Sequence, residues 1–152
     1  MGLIEGDPLG TMHAPSHQAL VEDLLQYACG TRRGGAPLSD DPAVRDLLVQ
    51  AFMDAEVARL LDQRDWRLYD TGRELTYHAA QGALWRMQAS ARLASIVRDV
   101  LGPYALLDER DPGAPCGGAF QRHQRESLGS ADRVNEYREA IARALGVTGE
   151  PL

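Results

Sequence analysis

The stretch Pro42-Ala43-Val44-Arg45-Asp46-Leu47-Leu48-Val49-Gln50-Ala51-Phe52-Met53-Asp54-Ala55-Glu56-Val57-Ala58-Arg59-Leu60-Leu61 decides the fold of this chain. Val44, Leu47, Leu48, Ala51, Ala55, Ala58 and Leu61 recur at three- and four-residue steps. That spacing lays side chains along one side of an α-helix. Asp41 just before Pro42 supplies an N-cap followed by proline at the first helical position, where the missing N–H costs nothing. Gly72 breaks the run, so the helix spans about Pro42 to Asp70. Asp54 and Glu56 fall among arginines and read as part of its solvated side.

Working toward the N-terminus, Leu20, Val21, Leu24, Leu25 and Ala28 mark one face of a helix. Ser16 is its N-cap, and the Gly34-Gly35 pair ends it. Working toward the C-terminus, Thr76 caps a third helix that runs to Leu101, with Leu84, Met87, Ala91, Ala94 and Val97 inward. Gly102-Pro103 stops it.

Residues 103–129 are irregular. Asp111-Pro112-Gly113-Ala114-Pro115 and Gly117-Gly118 do not continue a helix, and only Phe120 to Ser127 reads as a short helical piece. A loop of that length usually serves function or a partner. A last helix spans about Ser130 to Leu145, with Val134, Tyr137, Ile141 and Leu145 toward the core and Gly146 as its stop. No alternating strand is evident. The prediction is an all-α domain over residues 16–147, an antiparallel four-helix bundle, with tails at 1–15 and 148–152. Its alanines allow helices to approach near the lower end of the usual ~8–10 Å spacing.

The 152 residues suffice for one domain with a core, and 44% apolar with 25% charged residues is ordinary for a globular chain. A net charge of −6 speaks against a nucleic-acid partner. All 16 basic residues are arginine, which reads first as coding preference rather than as selection for forked ion pairing. No stretch is long and apolar enough for a membrane span. The N-terminus lacks the charged and apolar regions of a secretory signal. Cys29 and Cys116 read as free thiols, and the expected location is the cytoplasm.

Three sequence marks resemble the acyl-CoA dehydrogenase family. Glu139-Ala140-Ile141-Ala142-Arg143-Ala144-Leu145-Gly146-Val147 is similar to its closing helix, I-A-x-x-L-G. Asp99-Val100-Leu101-Gly102-Pro103-Tyr104-Ala105-Leu106-Leu107 resembles its glycine turn between two long helices. Tyr27-Ala28 with Gly35 and Pro37 resembles Y-A-x-x-R-x-x-F-G-x-P. The marks occur in family order and cover about residues 16 to 147, nearly the whole chain.

The resemblance implies the family's C-terminal α domain, which helps build a tetramer and closes the flavin and acyl-CoA sites. The implied chemistry takes a proton from Cα of an acyl-CoA thioester and passes a hydride from Cβ to FAD. It further implies FAD-contacting roles for Arg32, Arg33, Gly102 and Arg125. The pattern also departs from the family. Thr31 holds the register of the family arginine, Gly34 that of its phenylalanine and Asp99 that of a glutamine.

The family's usual base is a Glu before a Gly-Thr or Gly-Ser pair. Gly129-Ser130 is preceded by Leu128, and the alternative register puts Ala131 before Asp132. No catalytic base is assigned. Glu126 reads as a surface acid paired with Arg122 or Arg125, and Glu5 and Glu22 as solvated. Arg138 reads as half of a structural ion pair.

The expectation is therefore a domain or subunit that does not act alone. Its partner is an acyl-CoA dehydrogenase-like subunit or its own copies, and acyl-CoA is engaged only in the complex. The competing reading is a non-enzymatic helical interaction module that kept the bundle and lost the flavin.

Other constellations carry less. His13 and His17 stand four apart with Pro15 between them and no third ligand near, so no metal is assigned. His123 with Glu126 and Ser127 resembles a catalytic set in composition only. Trp66, Trp85, Tyr69, Tyr77 and Tyr104 read as core or interface rings.

Overall fold

The computed structural model describes residues 17–128 and 133–147. Among these lie five α-helices: α1 (His17–Gly30), α2 (Pro42–Asp70), α3 (His78–Leu101), α4 (Ala119–Leu128) and α5 (Val134–Ala144). The fold is the all-α helical bundle that the apolar stripes predict. Helix α3 is its hub and packs against α1, α2, α4 and α5.

The core is continuous across α1, α2, α3 and the start of α4. Leu20, Val21, Leu24 and Ala28 meet Val44, Leu48, Ala51 and Ala55, then Leu93, Ile96, Val97, Val100 and Leu101, with Phe120 closing one end. Each large aliphatic side chain taken out of water there contributes roughly 1.5–3 kcal/mol.

Helix boundaries follow local chemistry. The Asp41 carboxylate accepts from Ala43 N at 2.9 Å, and Pro42 opens α2. Gly72 ends α2 in a left-handed cap, with Arg73 N bonded to Leu68 O at 2.9 Å and Gly72 N to Tyr69 O at 3.0 Å. Gly146 ends α5 in the same way, through Val147 N to Ala142 O at 2.9 Å and Gly146 N to Arg143 O at 3.1 Å.

Several expectations are corrected. Helix α1 stops at Gly30, not at the glycine pair. Residues 32–37 instead form a small antiparallel hairpin, Arg32 opposite Pro37 and Arg33 opposite Ala36. Gly34 and Gly35 make its two-residue turn, at φ 62° and 90°, the left-handed conformations that a tight hairpin demands. Thr76 does not cap α3, which starts at His78 with no side-chain cap.

The inward face of α3 is rotated from the predicted stripe. Gly82, Ala89, Leu93, Ile96 and Val100 are buried, as are Ala94 and Val97, while Ala91 is exposed. Helix α5 buries no residue: Val134, Tyr137 and Ile141 are half-buried and Leu145 is 62% exposed. Trp66, Tyr69 and Tyr104 lie outside the core, each more than half exposed.

Asp54 is the largest surprise. It is only 3% exposed, on the core side of α2 rather than the solvated one. Arg92 of α3 binds it through Nε at 2.7 Å and Nη2 at 3.1 Å, and Gln50 donates to it at 3.1 Å. Two further arginines tie the same α2–α3 seam. Arg86 pairs with Asp62, and Arg64 bonds Asp65, Gln81 and the His78 carbonyl. Three arginines, at 59, 64 and 92, use two nitrogens each on one carboxylate, a grip that lysine does not reproduce.

Candidate functional site

The hairpin after α1 carries Arg32 and Arg33. Thr31 N bonds to Tyr27 O and Leu38 N to Thr31 O, both at 2.9 Å, while buried Leu38 pins the return strand to the core. Arg33 is thereby aimed across the bundle, and its Nη2 donates to Val100 O at 3.4 Å, in the last turn of α3. Arg32 turns back over its own hairpin and donates to Gly35 O at 3.0 Å. Both arginines lie on a strand, not at the frayed end of a helix.

Gly102 caps α3 next to that contact, at φ 59° and ψ −132°. A side chain is disfavoured there by backbone conformation, not by crowding, because no atom of the chain lies within 4 Å of where a Cβ would stand. The structure thus brings Arg33 and Gly102 together at the C-terminal end of α3. Asp99 is exposed in the same last turn.

Arg125 stands elsewhere. It lines a cleft of about 360 Å³ with Arg110, Arg122 and Asp108, between α4 and the segment before it. Gly118 shapes this cleft: its φ is +77° and a Cβ would meet Glu109 N at 2.5 Å. Cys116 and Gly117 precede it in left-handed conformations as well, at φ 51° and 60°. Gln124 donates to Ala105 O at 3.2 Å and holds α4 against the turn after Gly102. Arg122 reaches Glu109 at 3.7 Å.

The described residues also bring His17, Ser90 and His123 together, a grouping that sequence reasoning missed. His123 is 8% exposed, and its Nε2 lies 3.2 Å from Ser90 O and 3.4 Å from Ser90 Oγ. Donation to the carbonyl uses the Nε2 proton, so that nitrogen is not free to take one from the hydroxyl. The pair is structural, not a nucleophile and its base. His17 meets the His123 ring edge-on, 6.3 Å between centroids. Burial, reinforced by His123, pushes His17 down to about 4, against an opposing pull from Asp54. His123 is also held below its ordinary value, chiefly by burial. His13, Gly129, Ser130, Ala131 and Asp132 lie outside the described residues, while Leu128, at the base position of the first register, ends α4.

The arrangement at the α3 terminus suits an anionic group. Arg32 and Arg33 are exposed, and among the described residues their bonded acceptors are neutral carbonyls. Their charges therefore remain available to a diphosphate. Asp99 and the carbonyl end of α3 oppose it. Of the two guanidiniums only that of Arg33 reaches this end of α3, while Arg32 turns back over its own hairpin.

The chain is an all-α bundle with an arginine hairpin set against the end of its central helix. The model for "Acyl-CoA dehydrogenase, C-terminal domain" matches residues 9–130, and the chain belongs to that family. No curated protein matches it.

Among solved structures, the ChsE4-ChsE5 complex from Mycobacterium tuberculosis superposes with a TM-score of 0.77 at 23% identity, covering 88% of this chain and 36% of that one. The FAD complex of PigA gives 0.75 at 21%, covering 88% and 33%. A structure described as an FAD-dependent dehydrogenase gives 0.72 at 21%, covering 87% and 34%. This chain thus spans about a third of the length of these solved relatives.

Proposed function

We propose that this chain is the C-terminal domain or subunit of an FAD-dependent acyl-CoA dehydrogenase-like enzyme and does not dehydrogenate acyl-CoA alone. In the assembled enzyme the flavin accepts the substrate's hydride. This chain's own part is peripheral. Arg32 and Arg33 neutralise the cofactor diphosphate, Gly102 lets it approach the end of α3, and the bundle supplies surface to a dehydrogenase-like partner subunit or to its own copies. Arg125 faces a different cleft, beside α4.

The observation that carries this reading is the family match over residues 9–130 together with an exposed arginine pair whose acceptors are neutral. The likeness to about a third of the chain in the FAD complex of PigA and in an FAD-dependent dehydrogenase supports it in the same direction.

The test is co-expression with a candidate dehydrogenase subunit, followed by the visible absorbance of the purified material. A yellow two-chain complex that reduces an electron acceptor with an acyl-CoA, next to a colourless and inactive lone chain, is the expected result. Flavin-dependent turnover by the lone chain overturns the proposal. So does a colourless chain that pairs with no dehydrogenase subunit, which would favour a non-enzymatic interaction module.

A further inference from the structure

Three guanidiniums converge on the cleft beside α4. Arg110 comes from the loop before that helix, and Arg122 and Arg125 come from the helix itself, around a volume of about 360 Å³. Arg110 and Arg125 enter no ion pair and no side-chain hydrogen bond among the described residues. Arg122 meets Glu109 at 3.7 Å, and the two side chains are 50% and 71% exposed. A contact so long and so wet holds weakly and yields to a stronger anion.

The walls of the cleft are stiff. Gly118 is buried, and a Cβ on it would meet Glu109 N at 2.5 Å, so the loop backbone lies directly on the start of α4. The loop also holds itself. Arg110 N donates to Asp108 Oδ1 at 2.9 Å, and Asp111 N donates to Asp108 O at 3.0 Å. On the other wall, Gln124 ties α4 to Ala105 O at 3.2 Å. Arg122 and Arg125 stand three apart and are neighbours on the helix surface. Asp108 thus turns one oxygen to its own loop and Glu109 binds loosely, so positive charge prevails in the cleft. Like charges held this close repel one another. An anion shared among them removes that repulsion.

We infer that the α4 cleft binds a phosphate dianion, free or as the end of a monoester. The planar fork of a guanidinium matches phosphate oxygens. Two unpartnered guanidiniums match the two negative charges, and Arg122 joins them when Glu109 swings into water. The volume lies at the lower end of the range for small-molecule sites, enough for a phosphate and part of the group that carries it. The inference goes beyond the reading above, because its test needs neither flavin nor a second chain.

The experiment is isothermal titration calorimetry of the full chain at low ionic strength, with inorganic phosphate in one arm and glycerol 3-phosphate in the other. Glycerol serves as the phosphate-free control. Arg32→Ala with Arg33→Ala is the background, so that only the α4 cleft is read, and circular dichroism confirms that every variant keeps its helices. One phosphate per chain is expected, with no heat from glycerol. Tighter binding of the ester names a monoester as the natural occupant, and tighter or equal binding of inorganic phosphate names the free ion. Arg110→Gln and Arg125→Gln each weaken binding by about tenfold, the scale of a lost charged hydrogen bond. Glu109→Gln frees Arg122 and tightens binding by about threefold. Without ligand, Arg110→Gln and Arg125→Gln leave the melting temperature unchanged or raise it, which arginines kept for folding would not do. Absence of saturable binding in both arms overturns the inference. So does a Kd indifferent to Arg110→Gln and Arg125→Gln, or one weakened by Glu109→Gln.

Discussion

Arg92 on α3 grips Asp54 on α2 through two nitrogens, at 2.7 and 3.1 Å, while its guanidinium lies 5.2 Å from the centre of the Trp85 ring. Trp85 completes the clasp by donating its indole N–H to the Asp54 carbonyl at 3.2 Å. The two ends of the pair differ. The Asp54 side chain is 4% exposed and that of Arg92 is 40% exposed. Arg92→Ala strands a buried carboxylate and is expected to destabilise the fold by about 3 kcal/mol. Asp54→Ala leaves a cation that can turn to water and costs less, roughly 1–2 kcal/mol. Urea denaturation of both variants measures this asymmetry, and equal losses would show that the clasp is not a buried-charge interaction.

Acid should loosen the bundle through its histidines. His17, at about 4 in the fold against 6.5 as a free side chain, stays neutral while the unfolded chain takes up protons. The unfolded state then binds more protons, so stability rises with pH across this window. The contribution is complete above about pH 6.5 and is lost as pH falls toward about 4. Solvent reaches part of the ring, so the loss is set at roughly 2 kcal/mol, below the full linkage value. His17→Gln should flatten the slope between pH 6.5 and 4.5 in denaturation curves. An unchanged slope would assign the acid sensitivity to carboxylates.

Glycine 118 should be far less replaceable than its neighbour. Both Gly117 and Gly118 are left-handed, but Gly117 faces open space, whereas a Cβ on Gly118 meets Glu109 N at 2.5 Å and Asp108 C at 2.7 Å. Gly117→Ala bears only the conformational cost, about 1–2 kcal/mol. Gly118→Ala must also displace backbone, and is expected to lose at least ~1 kcal/mol more. Thermal or urea unfolding of the two variants decides the order.

The arginine hairpin should matter for cofactor and not for folding. Arg32→Ala with Arg33→Ala removes only exposed side chains bonded to neutral carbonyls. In a flavin-containing complex it is expected to weaken FAD retention by about tenfold or more, the scale of a lost charged hydrogen bond. Flavin released on gel filtration measures it, with circular dichroism as the folding control. Full retention would move the diphosphate away from this hairpin.

What the chain's letters disclosed was decided by periodicity. The stripes of α1 and α2 are long and regular, so burial at Leu20, Val21, Leu24, Val44, Leu48, Ala51 and Ala55 was readable. On α3 the small residues misled. Gly82 and Ala89 are buried because helices approach closely there, and a Cβ on Gly82 would meet the Asp65 carboxylate of α2 at 3.2 Å. Apolarity alone does not reveal closeness of approach. Asp54 was misassigned by residue type, although its place three after Ala51 and four before Ala58 puts it on the core face. Only the partner on another helix explains why a carboxylate is tolerated there.

At the candidate site, Arg33 and Gly102 are 69 positions apart in sequence, and nothing local announces their meeting through Val100. The hairpin that aims Arg33 did have a local signal. Gly34-Gly35 is a two-residue turn pair, but it follows a helical pattern and was read as that helix's stop.

The central position of α3 has a consequence for how this molecule comes apart. Each of the other four helices leans on it, so detaching any one strips surface from the same rod. Opening is therefore expensive for α1, α2 and the start of α4, which bury side chains against α3 and should melt together, whereas α5, which buries no residue, should detach first.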